Sequence, residues 1–411
     1  MKYKSTRNRE LRVSAAQAIM QGLSEDGGLF VPEVFPEIEM EDIECLAQKP
    51  YTERAIEILS LFLTDFSDEQ LVSCVENAYT EKKFGSDSII RVEELREGVN
   101  MLELWHGPTC AFKDMALQLL PHLLTTSAEI LGNKKEIVIL VATSGDTGKA
   151  ALAGFQNVPG TRIAVFYPED GVSPMQKRQM TTQEGENVSV CAIKGNFDDA
   201  QSAVKQIFTD QALREKMNAN GKMFSSANSI NWGRLVPQIV YYIAAYAQLI
   251  ADHVIQPGDA VNICVPTGNF GNILAAYYAK KMGVPVNRFI CASNQNHVLT
   301  DFIRTGTYDK NRVFHATISP SMDILISSNL ERLLFDLYEE DDASVRALYD
   351  ALARDGKFTV SEGVKKKLQT LFWGDYCDDD ATQAEKDFYE NIYQRGSLPL
   401  RYAYGCWNLC C

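Results

Sequence analysis

One lysine is a candidate nucleophile because of its neighbours. Lys113 lies in the stretch His106-Gly-Pro-Thr-Cys-Ala-Phe-Lys-Asp-Met115, between the apolar runs Cys110-Ala-Phe112 and Met115-Ala-Leu117. Apolar neighbours can desolvate an amine and favour its neutral, nucleophilic form. A solvated or ion-paired lysine is the simpler alternative, since structural ion pairs also perturb lysines. A reactive Lys113 therefore requires that other segments complete a site.

Two glycine-rich turns supply groups that bind anions. Gly268-Asn-Phe-Gly-Asn272 follows an apolar run and opens a helical pattern, so its N–H groups and the helix dipole can hold a phosphate. A tight turn without a ligand is the open alternative. Thr143-Ser-Gly-Asp-Thr-Gly148 offers hydroxyls and N–H groups for a carboxylate or phosphate. Thr143 and Ala150 stand where a P-loop needs Gly and Ser or Thr, and neither turn reads G-x-G-x-x-G.

The elements that must position these residues alternate between short apolar strands and helical stretches. This rhythm predicts an α/β protein with parallel sheets, and both turns follow a strand, where such sheets bind ligands. The apolar run 236–251 falls short of a membrane span and predicts a buried helix. The predicted strands are Ile137–Val141, Arg162–Tyr167, Val188–Ile193, Val261–Val265 and Arg288–Ala292.

Composition narrows the class of partner. The 411 residues carry a net charge of −14, which argues against nucleic acid and against an anionic membrane surface. The basic N-terminal residues lack a following apolar stretch, so we expect a cytoplasmic protein rather than a secreted one. The ten cysteines show no paired spacing apart from Cys406, Cys410 and Cys411, and we expect reduced thiols and no metal site.

A lysine, a phosphate cradle and a carboxylate-binding turn together suit pyridoxal phosphate acting on an amino acid. HGPTCAFKD, TSGDTGKAAL, SSANSINWGR, PTGNFGNILAAYYAKKMG and SPSMDILISSNLERLLF resemble threonine synthase, a fold-type-II pyridoxal phosphate family. The N-terminal YKSTRN and GLSEDGGLFVPE resemble threonine synthase in particular, and the likeness runs from residue 3 to about 380.

The resemblance implies a tryptophan synthase β-like architecture of two parallel-sheet subdomains and a helical N-terminal region. We expect an N-terminal domain at 1–95, a larger cofactor-binding domain at 96–134 and 226–411, and a smaller domain at 135–225. A monomer or homodimer acting on a small molecule is expected.

The resemblance also assigns roles to residues. Lys113 would bind the cofactor as an imine and then move protons, and Asp146 would lie beside the cofactor hydroxyl. The cofactor phosphate would be held by Gly268, Asn269, Phe270, Gly271 and Asn272. The expected substrate contacts are Ser144, Thr147, Asn228 and Asn231, each of which is also a good capping or turn residue.

The implied reaction converts O-phospho-L-homoserine and water to L-threonine and phosphate. Lys149 or Arg234 would stabilise the leaving phosphate, unless each is an ordinary solvated cation. The family continues with a segment like TAHPAKF that contacts the pyridine nitrogen, whereas this chain ends in Cys406-Trp-Asn-Leu-Cys-Cys411. We therefore expect an altered or truncated ending. A dehydratase-like lyase that forms 2-oxobutanoate and a non-catalytic cofactor-binding protein stay open as alternatives.

Overall fold

The structure is a computed structural model that describes residues 1–86, 88–143, 145–195 and 197–383. The expectations for the C-terminal ending, and for Ser144, fall outside the described residues. Two compact units divide the chain. The first unit holds Met1–Ser5 and Glu10–Pro257, and the second holds Thr6–Arg9 with the described residues from Gly258 onward. The three-part division expected from the sequence stays a prediction.

Helices and short strands fill the chain as far as residue 257. In order they are β1 (Tyr3–Ser5), β2 (Asn8–Val13), α1 (Ala15–Gln21), β3 (Phe30–Pro32), α2 (Met40–Ala47), α3 (Tyr51–Phe62), α4 (Asp68–Ala78), α5 (Glu81–Phe84), β4 (Arg91–Arg96), β5 (Val99–Glu103), α6 (Asp114–Leu117), α7 (Leu120–Ile130), β6 (Glu136–Ala142), α8 (Asp146–Phe155), β7 (Thr161–Pro168), α9 (Pro174–Thr181), β8 (Val188–Ile193), α10 (Phe197–Thr209), α11 (Gln211–Ala219), β9 (Lys222–Ser225) and α12 (Trp232–Ala251).

The later elements belong to the second unit. They are β10 (Val261–Pro266), α13 (Gly271–Lys281), β11 (Val286–Ser293), α14 (Val298–Thr305), β12 (Thr307–Asp309), a 3₁₀ turn (Pro320–Met322), α15 (Leu330–Leu337), α16 (Asp342–Asp355), β13 (Lys357–Thr359), α17 (Glu362–Leu371) and β14 (Phe372–Tyr376).

A four-stranded parallel sheet in the order β8-β7-β6-β9 lies in the first unit. β6 pairs with β7 from Ile137 opposite Thr161 to Ala142 opposite Phe166, and β7 pairs with β8 in the same sense. Most of β6 is buried, which is why its apolar run was recognisable, whereas one face of β7 and all of β8 are partly or fully exposed. α8 and α10 pack against the sheet.

The long helix α12 forms the helical core of the first unit. Its residues from Trp232 to Ala247 are all buried, and it packs against α2, α3 and α6. The prediction of a buried helix here is confirmed. Among the described residues, no helix combines the length and the apolar character that crossing a bilayer requires.

The second unit contains a three-stranded parallel sheet in the order β10-β11-β14. α13, α14 and α17 pack against β11. The ring centroid of Phe372 lies 5.1 to 6.1 Å from those of Phe270, Tyr277 and Phe289, and the rings of Tyr277 and Phe289 are 6.1 Å apart. This aromatic cluster anchors the turn before α13 in the core of its unit. The α/β class with parallel sheets is confirmed, and all five predicted strands are present.

Candidate active-site residues

One buried carboxylate organises the turn that leads to Lys113. Asp114 is fully buried and accepts hydrogen bonds from the Thr109 N–H at 2.8 Å and the Thr109 hydroxyl at 2.7 Å. Burial raises the pKa of the Asp114 carboxyl, and the bonds from Thr109 oppose that rise. Gly107 permits the close approach, because a Cβ there would lie 2.5 Å from the Asp114 Cβ. These contacts fix the backbone that enters α6, where Lys113 is the N-cap residue.

The Lys113 amine lies beside a carboxylate and an aromatic ring. Its Nζ is 3.5 Å from Asp146 Oδ2, and the two side chains are 10% and 7% exposed. The same Nζ lies 4.6 Å from the centroid of the Phe112 ring, within the range of a cation–π contact. The burial removes the alternative of a solvated lysine, whereas the contact with Asp146 is the ion pair that the other alternative named. The ion pair holds the amine in a fixed position, largely screened from water.

Asp146 begins α8, where the helix dipole favours a negative charge. Its Oδ1 lies 3.1 Å from Lys149 Nζ and accepts a hydrogen bond from Gln176 Nε2 at 2.9 Å. Gln176 is buried, and it belongs to a capping box with Ser173 at the start of α9. Sequence reasoning missed Gln176, although the capping-box spacing of Ser173 and Gln176 was a usable signal for the helix start.

The turn before α8 is closed by the Thr143 side chain. Its hydroxyl oxygen accepts hydrogen bonds from the N–H groups of Gly145 and Gly148, each at 2.9 Å. Gly145 has φ 138°, and a Cβ there would lie 2.3 Å from the Gln176 carboxamide. Thr147, in the first turn of α8, is partly exposed. Its contact with substrate stays a prediction.

The two asparagines predicted as substrate contacts differ in burial. Asn231 is fully buried and caps α12, since its Oδ1 accepts from the Gly233 N–H and its Nδ2 donates to Ile19 O and Ser226 O. These bonds agree with the alternative prediction from the sequence, in which Asn231 is a helix-capping residue. Asn228 is partly exposed. Substrate contact by either residue stays a prediction.

Arg234 is a buried cation in α12. It is 2% exposed, and its guanidinium donates a 2.6 Å hydrogen bond to Ala227 O. Burial lowers the Arg234 pKa to about 10, whereas the charges of Tyr241 and Asp114 act to raise it. A solvated surface cation was the alternative for Arg234 and for Lys149, and burial of both side chains removes it.

The glycine-rich turn of the second unit prepares the start of α13. Phe270, its N-cap residue, has φ 62° in the left-handed region, and its ring is buried. The first N–H groups of a helix have no partner within the helix, and such a helix start can bind an anion. Binding of a phosphate by Gly271 and Asn272 stays a prediction. The Asn272 side chain is used locally, since its Nδ2 donates to Pro266 O and its Oδ1 accepts from Thr267 and Ile273.

A second segment of the same unit holds the carbonyl groups of this turn. Ser327 Oγ donates to Gly268 O at 2.8 Å, and the Asn329 N–H and Nδ2 donate to Asn269 O at 3.0 and 3.2 Å. Arg332 in turn donates to Asn329 Oδ1. These bonds fix the two carbonyl groups that precede Phe270. Sequence reasoning did not find Ser327 or Asn329 as supports of the turn.

The donor set in each unit suits pyridoxal phosphate. The first unit offers a buried primary amine beside a carboxylate, which are the groups that bond to the aldehyde and face the polar ring substituents of this cofactor. The second unit offers a glycine-rich helix start, where a close backbone and its N–H groups hold a phosphate. A Cβ on Gly268 would lie 3.2 Å from Met322 Cα and 3.4 Å from Ser321 O, so this position favours glycine.

Comparison with known proteins supports the same cofactor. The profile of the pyridoxal-phosphate dependent enzymes matches residues 90–359, and that of the threonine synthase N terminus matches residues 2–79. Threonine synthase-like 1 of Homo sapiens is 44% identical over 381 residues, which are 90% of this chain and 51% of the relative. The chain therefore spans about half the length of the threonine synthase-like 1 proteins that it matches.

Two further relatives are matched over more of their length. Threonine synthase of Pseudomonas aeruginosa is 41% identical over 374 residues, covering 90% of this chain and 76% of the relative. The crystal structure of the PLP-bound threonine synthase from Brucella melitensis superposes with a TM-score of 0.89 at 37% identity, covering all of this chain and 85% of that one. This chain belongs to the threonine synthase family of pyridoxal-phosphate dependent enzymes.

Proposed function

We propose that this chain converts O-phospho-L-homoserine and water to L-threonine and phosphate. The observation that carries the proposal is the buried Lys113–Asp146 pair, which lies in a chain of the threonine synthase family. A lysine amine held beside a carboxylate and screened from water suits repeated proton transfer. The family relationship supports the choice of substrate.

Each proposed role follows from the chemistry of a side chain or turn. When bound, pyridoxal phosphate withdraws electrons from the substrate and so makes the hydrogens at Cα and Cβ acidic. Lys113 Nζ is the group proposed to bind the cofactor and to take up and return these protons. The Asp146 carboxyl group lies 3.5 Å from that amine and is proposed to orient it. The turn Gly268–Asn272 is proposed to hold the cofactor phosphate through its N–H groups.

The substrate contacts are proposed for residues at the start of α8 and before α12. Thr147 and Asn228 are partly exposed and can donate hydrogen bonds to a carboxylate or phosphate. Ser144 and Asn231 complete the proposed set. Lys149 is almost wholly buried and already lies 3.1 Å from Asp146, so its ion pair competes with any contact to a leaving phosphate.

The test is product analysis with the 411-residue chain and pyridoxal phosphate. Incubation with O-phospho-L-homoserine is expected to give L-threonine and inorganic phosphate in equal amounts. Phosphate accompanied by 2-oxobutanoate in place of threonine would establish the dehydratase-like alternative. Soluble, cofactor-loaded protein that releases no phosphate would contradict both catalytic functions.

A further inference from the structure

Asp146 lies between two buried lysines. Its Oδ2 is 3.5 Å from Lys113 Nζ, and its Oδ1 is 3.1 Å from Lys149 Nζ. Lys149 stands three residues after Asp146 on α8, a spacing that puts both side chains on one face of the helix. The Lys149 side chain is 1% exposed, so this is a paired internal charge and not a solvated one.

Two buried cations besides Lys113 interact with the carboxylates near this pair. Asp114 is fully buried and interacts electrostatically with Lys149, and the buried Arg234 interacts with Asp114. The two carboxylates, Asp146 and Asp114, therefore face two cations, Lys149 and Arg234, before Lys113 is counted. An unpaired buried carboxylate is strongly unfavourable. Because Lys149 compensates Asp146, Lys113 can lose its positive charge without leaving that carboxylate alone.

We propose that Lys149 is a positioning residue that holds Asp146 as a paired anion and thereby lets Lys113 work as a neutral amine. The inference rests on the proposed role of Lys113 as the residue that binds the cofactor. In that role the neutral Nζ would form a double bond to the aldehyde carbon, and the aldehyde oxygen would leave as water with the two hydrogens of the amine. The protonated amine has no lone pair for this reaction, so the charge balance around Asp146 sets how readily Lys113 reacts.

The test measures how much pyridoxal phosphate each variant needs in order to modify Lys113. Borohydride reduction fixes the bound cofactor, and peptide mass spectrometry then locates and quantifies it. Lys149→Met is expected to raise the half-saturating concentration about tenfold or more, because Asp146 would keep the hydrogen bond from Gln176 but lose the charge of Lys149, a loss that favours the protonated form of Lys113. Lys149→Arg keeps the charge and should stay within about threefold of the unaltered protein. Lys134→Met removes an exposed lysine and controls for net charge.

A second pair of variants separates charge from packing. In an Asp146→Asn background there is no carboxylate to compensate, so adding Lys149→Met is expected to change the half-saturating concentration by less than about threefold. A role in packing alone predicts the same tenfold loss in both backgrounds. This comparison also serves if the single Lys149→Met variant does not fold.

Two outcomes would contradict different claims. Equal modification of Lys113 in Lys149→Met and in the unaltered protein would overturn the role of Lys149 while leaving Lys113 as the cofactor lysine. Modification of some other lysine in the unaltered protein would overturn the proposed role of Lys113 itself.

Discussion

Gln176 Nε2 donates a 2.9 Å hydrogen bond to Asp146 Oδ1, which joins the start of α9 to the start of α8. The carboxylate is thus held on its Oδ1 side by Gln176 and Lys149 and presents Oδ2 to Lys113. The orientation of Asp146, and with it the position of the Lys113 amine, therefore depends on Gln176, which lies 63 residues after Lys113 in the sequence. A substitution that displaces Gln176 should therefore also displace Asp146 and alter its contact with the Lys113 amine.

Gly145→Ala is expected to disturb this arrangement. The alanine would have to adopt a φ that is unfavourable for a residue with a side chain. Its Cβ would also lie 2.3 Å from the Gln176 carboxamide, so Gln176 must move away from Asp146. We expect the free energy of unfolding to fall by about 2–4 kcal/mol, measured by urea denaturation.

Gly132→Ala is the matched control for Gly145→Ala. Gly132 also has a left-handed φ, of 62°, but a Cβ there would meet no atom within 4 Å. The free energy of unfolding of Gly132→Ala should fall by only about 1 kcal/mol, from backbone strain alone. Equal losses in the two variants would mean that the contact with Gln176 is unimportant.

Ser327→Ala is expected to weaken cofactor binding. It removes the 2.8 Å hydrogen bond to Gly268 O and so loosens the turn proposed to hold the cofactor phosphate. The dissociation constant for pyridoxal phosphate should rise about tenfold, measured by fluorescence titration. Ser344→Ala, which removes a hydroxyl donor to Asp341 at the start of α16, should leave it unchanged. An unchanged constant in Ser327→Ala would remove this serine from the support of the turn.

Asn231→Ala and Asn228→Ala should separate capping from substrate contact. Asn231 makes three hydrogen bonds in a buried position, so its loss should lower the free energy of unfolding by about 2–3 kcal/mol. Asn228 is partly exposed, and its loss should raise KM with little effect on stability. Denaturation and steady-state kinetics on both variants provide the measurement. A stable Asn231→Ala protein would contradict the capping role.

His122 should make stability depend on pH. Burial, followed by the charge of Lys83, lowers the pKa of this histidine from 6.5 to about 4. The unfolded chain therefore binds the proton at a higher pH than the folded chain. The stabilising contribution is complete above about pH 6.5 and is lost as pH falls to about 4, with a loss of about 2 kcal/mol after allowance for partial exposure.

His122→Gln should remove this part of the pH dependence. Urea denaturation between pH 7 and pH 4 is the measurement, and His253→Asn, at an exposed histidine, should keep the slope of the unaltered protein. An unchanged slope in His122→Gln would show that other groups titrate in this range.

Much of the fold was predictable because the relevant signals are local. Most of β6 is buried, and it reads as a continuous apolar run, while in β7 buried apolar side chains alternate with more exposed ones. β14, with the sequence Phe-Trp-Gly-Asp-Tyr, has no such run and was not predicted. Its pairing with β11 from Phe289 opposite Phe372 to Ser293 opposite Tyr376 makes it a strand.

Only part of the candidate site was predictable, because only some of its residues carry a local sequence signal. Lys113 and both glycine-rich turns carry their signal within a few residues. Gln176 and Ser327 act through contacts with residues 30 and 59 positions away, which no local pattern reveals. The charge of Lys149 was visible, but its burial beside Asp146 depends on packing of the first unit.

The central claim is that Lys113 binds the cofactor and moves the protons. The most direct test compares the rate of phosphate release from O-phospho-L-homoserine between Lys113→Ala and the unaltered protein. Loss of the amine should lower the rate by about 10³-fold or more, since no other group would bind the cofactor and move the protons. Lys134→Ala, at an exposed lysine, is the control and should keep the full rate. A Lys113→Ala protein that still formed threonine at the rate of the unaltered protein would contradict the account.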